Sequence, residues 1–306
     1  MRIRVLGSAA GGGFPQWNCG CPNCRGARAG AIRAKPRTQE CVALSTDGDG
    51  WFLLNASPEV RAQIESYPPL HPRDRRHSPI AAVVLTNGDL DHCLGLFCLR
   101  ESHPLVVYAT DAVRRGLTER NVLYRTLQRF EGQVTWKRLE PDREIELATS
   151  DGHPSGLSIF PVPVPGKQPI HLEGVEAPGP EANIALRIRE RARGCVLAYA
   201  SSVGAVDAAV LGMVENADCV FFDGTFWSET EIVDLGLGSK RARDMAHLPI
   251  GGAGGSLARL AHLRAPRRLF IHVNNTNPIL REDSAEAAAV AAAGWQVAED
   301  GMELEL

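Results

Sequence analysis

Three cysteines lie close together near the start of the chain. Cys19, Cys21 and Cys24 form a C-x-C-x2-C pattern in the stretch WNCGCPNCRG. Gly20 and Pro22 favour a tight turn, on which three thiolates can converge on one soft ion such as Zn²⁺. Structural zinc takes four ligands, so the fourth must come from another part of the chain. The spacing therefore predicts a structural zinc site rather than three unpaired thiols or a redox pair.

A second set of polar residues follows the apolar run IAAVVL. Asp89, Asp91 and His92 lie in LTNGDLDHCLGL, between that predicted strand and a predicted helix. Carboxylates and imidazoles at the carboxyl end of a strand in an α/β fold lie where active sites usually form. The same residues fit a second interpretation, in which Asp89 or Asp91 forms a turn and caps the helix. The loop alone favours neither a metal site nor a helix cap.

Three more residues of the same kinds lie at strand ends or before glycine-rich turns in the second half. They are Asp223 in VFFDGTFW, His247 in MAHLPIGG and His272 in FIHVNNTNP. One such histidine is commonly structural, but several from separate parts of the chain indicate an active site. The other histidines are predicted to be surface or structural residues: His71, His77, His103, His153, His171 and His262. The other cysteines are predicted to be buried thiols: Cys41, Cys93, Cys98, Cys195 and Cys219.

The elements that must position these residues alternate along the chain. β-Branched and aromatic runs predict strands, and helical patterns lie between them. The strands are predicted at 2–7, 41–46, 51–55, 81–86, 105–109, 157–164, 183–189, 195–201, 218–224 and 268–273. The helices are predicted at 57–66, 92–101, 111–116, 119–130, 205–216, 255–263 and 281–293. This alternation predicts an α/β sandwich of two similar halves in one domain, 1–306, with the segment 163–180 as a long loop over the site.

Composition and charge exclude several classes of protein. The chain has 306 residues, 44% hydrophobic residues and a formal net charge of -3, which is typical of a soluble globular protein without a nucleic-acid partner. It has no apolar run of about 20 residues, as a membrane span requires, and no signal-peptide pattern. These features predict a cytoplasmic protein. The P-loop, the G-x-S-x-G elbow and a convincing dinucleotide-binding motif are also missing from the sequence.

Several motifs together resemble the metallo-β-lactamase superfamily and, within it, proteins of pyrroloquinoline quinone (PQQ) biosynthesis. The resemblance covers the whole chain. It rests on RVLGSAAGGGFPQWNCGCPNC, LLNASPEVRAQI, NGDLDHCLGLFCLRE, FFDGTFW, HLPIGG and FIHVNNTNP. It implies an αββα sandwich, in which two mixed sheets are flanked by helices.

The metal-binding motif of the superfamily is H-x-H-x-D-H, and only two of its four ligand residues are present in this chain. Its two leading histidines fall on Asn87 and Asp89, whereas its Asp and last His fall on Asp91 and His92. The late histidine of the superfamily corresponds to His272. A dinuclear zinc hydrolase needs enough ligands to hold two ions and a bridging hydroxide. The resemblance therefore implies the fold without the hydrolytic site.

Two further ligand positions of the superfamily also differ. The middle histidine, expected near FPVPVPGKQP, has no counterpart, and the bridging Asp falls on Ser201 or Ser202. Two histidines and one carboxylate remain, and such a set suits Fe²⁺ and O₂ activation. The resemblance therefore implies an iron-dependent oxygenase that hydroxylates the tyrosine ring of a Glu–Tyr-derived precursor.

The resemblance also implies roles for the predicted site residues. Asp91, His92 and His272 would hold the iron, and Asp89 would be a ligand or an orienting group. Asp223 and His247 would shape the site or donate and accept protons.

Two other functions stay open at this stage. One is a non-catalytic carrier that binds PQQ or its precursor and aids release or transport, and the other is a residual zinc hydrolase. The partners implied are the Glu–Tyr precursor, O₂ and other proteins of the PQQ pathway. The sequence leaves the fourth zinc ligand and the oligomeric state open, a homodimer included.

Overall fold

A computed structural model describes residues 1–119, 121–173 and 179–306. Within these ranges the first sheet has seven strands, in the order β14-β1-β2-β3-β4-β5-β6. Its strands β1 to β6 are Arg2–Gly7, Cys41–Ser45, Trp51–Leu54, Ile80–Val84, Leu105–Ala109 and Val134–Arg138, and β14 is Glu303–Glu305. The pairs from β3 to β6 are parallel, and those from β14 to β3 are antiparallel.

The second sheet has the same plan, with seven strands among the described residues in the order β13-β12-β11-β10-β9-β8-β7. Strands β7 to β13 are Ile145–Ala148, Pro154–Pro163, Ile184–Glu190, Val196–Ala200, Cys219–Asp223, Arg267–Ile271 and Gln296–Val297. The pairs from β10 to β13 are parallel and those from β7 to β10 are antiparallel. Each half of the chain therefore contributes most of one mixed sheet, whereas β14 of the first sheet comes from the C-terminal end of the second half.

The two sheets pack face to face around a buried apolar layer. Leu44 and Phe52 of the first sheet belong to the same core cluster as Leu186 and Phe221 of the second. The outer faces of the two sheets pack against helices in separate clusters. Burial of apolar surface on both faces of each sheet explains the near-continuous hydrophobic runs in the sequence. The αββα sandwich is confirmed.

Helices cover the outer faces. The α-helices α1 to α9 are Pro22–Arg28, Val60–Glu65, Leu90–Cys93, Gly95–Cys98, Asp111–Thr118, Ala208–Val214, Glu231–Asp234, Ser256–Arg259 and Ala285–Ala292. Short 3₁₀ helices are Pro68–Leu70, Val122–Leu127, Ile170–Leu172, Arg243–Met245 and Pro278–Leu280. None of the helices in the described ranges is long and apolar enough to cross a membrane.

Several predicted elements have other boundaries in the structure. The helix predicted at 57–66 begins only at Val60, as α2, and the Ser57 hydroxyl donates a hydrogen bond to Gln63 Oε1 at 3.0 Å. The helix predicted at 92–101 begins at Leu90 and is divided into α3 and α4. Strands β6, β7, β13 and β14 are additions to the predicted set. They lie towards the sheet edges and are short or largely exposed, so they lack strong apolar periodicity.

Candidate metal centre

Loops from both sheets enclose a cavity of about 500 Å³ at the carboxyl ends of the parallel strands. Its walls carry four predicted site residues and two basic residues from the loop after β8: Asp89, Asp91, His247 and His272; Lys167 and His171. The loop predicted to cover the site thus reaches the cavity, although its residues 174–178 lie outside the described ranges. Another groove, of about 440 Å³, surrounds Arg61 and Arg76 and contains none of the predicted ligands.

Asp91, His92 and His272 converge, although the last is 181 positions from Asp91. Their ligand atoms lie within 4.8 Å of one another. His272 Nε2 is 3.1 Å from Asp91 Oδ2, and His92 Nε2 is 3.8 Å from the same oxygen. The two imidazole rings are nearly perpendicular, with centroids 5.0 Å apart. This geometry brings together the three residues predicted to hold iron.

A hydrogen-bond relay fixes the ring of His92. The backbone N–H of Thr86 donates to Asn55 Oδ1 at 3.0 Å, which fixes the orientation of the Asn55 amide. The Thr86 hydroxyl also donates to Asn55 Oδ1 at 3.0 Å. Because the hydroxyl proton is already donated to Asn55, the hydroxyl oxygen accepts a hydrogen bond from the Nδ1–H of His92, with 3.3 Å between Oγ1 and Nδ1. Neutral His92 therefore carries its proton on Nδ1 and turns a lone pair on Nε2 towards Asp91.

A second relay of the same kind fixes His272. The Thr225 hydroxyl donates to Asp223 Oδ1 at 2.6 Å and accepts from His272 Nδ1 at 2.8 Å. Gly224 permits this close approach, because a Cβ atom there would lie 2.9 Å from Phe270 Cβ. His272 itself follows β12 in the left-handed region, with φ of 60°, a conformation that non-glycine residues rarely adopt outside functional sites and turns. Both rings therefore present Nε2 to the same point.

The donor set fits a divalent metal. Burial lowers the pKa of His92 to about 4, so this ring is neutral. Burial also works against the charged form of His272, but the hydrogen bond and charge of Asp91 outweigh it and raise the pKa of His272 to about 8. Burial alone would raise the pKa of Asp91, but its histidine neighbours hold it well below its usual range. In the metal-free protein a proton on His272 occupies the position that a cation would take between Nε2 and Asp91.

Asp223 and His247 form a hydrogen-bonded pair beside this cluster. His247 Nδ1 donates to Asp223 Oδ2 at 2.7 Å, and the ring stacks on His272 with centroids 5.4 Å apart. Asp223 also accepts from the N–H groups of Val203 and Thr225. Burial opposes ionisation of Asp223, but the charge of His247 and these donors hold its pKa below its usual value. Asp223 therefore orients His247. Together with His272 these two residues also form a second group of possible metal ligands, whose ligand atoms lie within 4.8 Å of one another.

Asp89 lies in the cavity wall but outside the three-residue cluster. Burial and the charge of Asp91 raise its pKa. It occupies the N-cap position of α3, but its side chain makes no capping hydrogen bond. Asn87 forms the turn instead, since its Oδ1 accepts from the Asp89 N–H at 2.9 Å. The helix-cap interpretation of Asp89 and Asp91 is therefore wrong.

The three cysteines of the C-x-C-x2-C pattern also converge, at the start of α1. Asn275 closes the fourth side, because its Nδ2 lies 3.1 Å from Cys19 Sγ and 3.3 Å from Cys24 Sγ. Burial raises the pKa of Cys21 to about 11. For Cys19, burial is outweighed by hydrogen bonds from the Cys21 backbone and neighbouring side chains, so its pKa is lowered. The geometry fits one ion held by three thiolates.

Sequence reasoning missed several groups at the site. His171 was expected to be a surface or structural residue, but it lines the cavity together with Lys167. Thr86, Thr225 and the buried Glu40 precede or follow apolar strands, and their side-chain types alone do not distinguish them from turn residues. Elsewhere, Cys98 is exposed rather than buried, whereas the other four cysteines outside the cluster are buried as predicted.

Comparison with known proteins identifies the family. A profile described as "Beta-lactamase superfamily domain" matches residues 50–273. The chain is 44% identical over 307 aligned residues to coenzyme PQQ synthesis protein B of Azotobacter vinelandii (strain DJ), with 100% of both sequences covered. The protein of the same name from Pseudomonas putida (strain GB-1) is 42% identical, again with 100% of both covered. The chain belongs to the coenzyme PQQ synthesis protein B family.

Solved structures agree with this membership. The Zn²⁺-bound PqqB of Methylobacterium extorquens is 41% identical, with a TM-score of 0.92 and 100% of both chains covered. A diphosphatase of the PhnP family is 22% identical, with a TM-score of 0.68. The alignment covers 100% of this chain and 97% of the diphosphatase chain, and the two proteins share the fold. The resemblance stated from the motifs is confirmed, and the family carries a role in coenzyme PQQ synthesis.

Proposed function

We propose that this protein acts in PQQ synthesis as an iron-dependent oxygenase that hydroxylates the tyrosine ring of a Glu–Tyr-derived precursor. The observation that carries the proposal is the convergence of two Nε2 atoms and the Asp91 carboxylate on one point. Two histidines and one carboxylate, with positions left open, suit Fe²⁺. The bound metal would supply activation of O₂. Asp91, His92 and His272 would hold it.

The cysteine cluster supports a separate structural role for zinc. Cys19, Cys21 and Cys24 supply three thiolates, and Asn275 would complete the four-ligand set. An amide turned so that Oδ1 faces the sulfurs would provide an oxygen ligand. The Zn²⁺-bound state of the Methylobacterium extorquens relative is consistent with zinc in this family.

His247 is placed to move a proton at the edge of the cavity. Its Nδ1 is held by Asp223, so its Nε2 faces the cavity as the working atom. An imidazole there can accept a proton from a phenol, and the ionised Asp223 would stabilise the cation that forms. We therefore assign His247 as the acid–base group and Asp223 as its positioning residue.

The mouth of the cavity suits a substrate that carries carboxylates and an aromatic ring. Lys167 supplies positive charge and acts electrostatically on Asp89, and His171 adds an imidazole to the same wall. Leu90 and Ile170 expose 56% and 69% of their surface beside them. Apolar side chains with a few basic groups would orient a Glu–Tyr-derived acid with its ring towards the interior.

The reaction balances with an external reductant. One C–H bond of the ring is replaced by C–OH, one oxygen atom of O₂ enters the product and the other leaves as water. Two electrons from a small-molecule reductant and two protons complete the balance. Hydrolysis is less well supported, because Asn87 and Asp89 stand where the superfamily motif has its two leading histidines, and Asn87 Oδ1 is used in a turn.

The test uses protein loaded with Fe²⁺ and a tyrosine-containing precursor under anaerobic conditions, followed by O₂ and a reductant. We expect product heavier by one oxygen atom, and with ¹⁸O₂ the label enters the ring. Turnover by zinc-loaded, iron-free protein without O₂ would favour the residual hydrolase. Absence of hydroxylation, with tight PQQ binding kept by His92→Ala, would favour the carrier.

A further inference from the structure

Glu40 is a buried carboxylate to which the proposed function gives no role. It directly precedes β2, is 0% exposed, and its Oε2 lies 3.7 Å from His92 Nε2. Oε2 accepts a hydrogen bond from Asn55 Nδ2 at 2.8 Å. Oε1 is buried and has no hydrogen-bond partner among the described residues. Leaving a carboxylate oxygen unpaired in such surroundings is costly, so the site requires a positive group nearby.

The neighbouring atom cannot supply that positive group in the metal-free protein. His92 Nε2 is likewise buried without a partner in the described part of the chain. The relay through Thr86 leaves the proton of His92 on Nδ1, so Nε2 faces Glu40 with a lone pair. When Glu40 is ionised, two hydrogen-bond acceptors therefore face each other 3.7 Å apart, and a cation near Nε2 would satisfy both of them.

We propose that Glu40 is the second carboxylate of the active-site metal centre and stabilises the cation from beside His92. This inference rests on the proposed function. Glu40 lies outside the cluster of Asp91, His92 and His272, so we assign it an electrostatic role rather than a direct bond to the metal.

Charge balance supports this role. Asp223 is already hydrogen-bonded to His247. Glu40 is therefore the carboxylate beside His92 whose charge remains to offset that of a divalent cation.

Glu40→Gln tests the inference, because the amide keeps the shape and can still accept from Asn55. The substitution removes the negative charge beside His92 and with it the proposed stabilisation of the cation. We expect Fe²⁺ binding at the active site to weaken at least about 10-fold in anaerobic equilibrium dialysis. We also expect the metal-free variant to unfold at the same urea concentration as the wild type or at a higher one.

Glu59→Gln is the matched control, since this nearby partly buried carboxylate is hydrogen-bonded to Gln39 at 2.9 Å. It should leave Fe²⁺ binding unchanged. Equal Fe²⁺ binding by Glu40→Gln and wild type overturns this inference alone, as does a loss of metal-free stability that accounts for the weaker binding. Wild-type protein that takes up no Fe²⁺ at the active site overturns the proposed function and this inference together.

Discussion

The cysteine cluster and the acid–histidine cluster differ in how the chain builds them. The three thiols lie within one short loop and the start of α1, so local turn geometry suffices to bring them together. Asp91 and His272 come from different sheets, and each metal-facing histidine depends on a threonine relay. The first cluster is therefore suited to a permanent structural ion. The second has ordered side chains around an accessible cavity, as an exchangeable or reactive metal requires.

Cys24→Ala should produce the largest effect, by removing a fully buried thiolate from the structural site. Loss of a metal present at about 1,000 times its dissociation constant costs about 4 kcal/mol of folding free energy. Urea unfolding and elemental analysis would measure the lost stability and the lost zinc. Cys98→Ala, which removes an exposed thiol, is the control and should change neither. Retention of full stability by Cys24→Ala would remove the structural role of the cluster.

His272→Ala should separate the two clusters. It deletes one Nε2 ligand, so we expect active-site Fe²⁺ affinity to fall at least about 100-fold, which is about 2.7 kcal/mol. Zinc at the cysteines should stay, because its proposed ligands are untouched. Metal counting after anaerobic dialysis would measure both, with the exposed His262→Ala as control. Loss of both metals together would show that the two sites are one cooperative unit.

The stability of the metal-free protein should depend on pH because of buried groups at the active site. The pKa of His272 is about 8 when folded against 6.5 when unfolded, so its contribution is full below pH 6.5 and is lost as pH rises to 8. That shift corresponds to about 2 kcal/mol. Glu40, with a folded pKa of about 8, acts in the same direction. Urea unfolding of chelator-treated protein at pH 6.5 and 8.0 measures the loss, and bound Fe²⁺ should diminish it.

Thr86→Val and Thr225→Val should give the smallest effects and compare the two relays directly. Each removes the acceptor that holds one histidine Nδ1–H, so we expect active-site metal affinity to fall about 10-fold. The cysteine site has no such relay and should keep its zinc. Thr118→Val, on the surface of α5, controls for loss of a hydroxyl group. If neither relay variant changed Fe²⁺ affinity, the rings would be held by packing alone.

The sequence predicted more of the core than of the edges. Runs such as 105–109 and 218–224 became buried strands because their apolar content reflects burial on both faces. Edge strands and the boundaries of α2 and α3 were missed, since weak periodicity and competing hydrogen bonds determine them. For the metal centre, Asp91, His92 and His272 were proposed in advance, while Glu40 and His171 were not.

The sequence by itself determined the cysteine cluster, the two-sheet pattern and the loss of the superfamily's leading histidines. These are local properties, because residue type and spacing along the chain determine them. Only the tertiary structure decided which strand ends meet, which tautomer each histidine takes and that Glu40 faces His92. These depend on contacts between residues far apart in the chain, such as Glu40 with Asn55 and Thr225 with His272, because hydrogen-bond direction is set by neighbours in space.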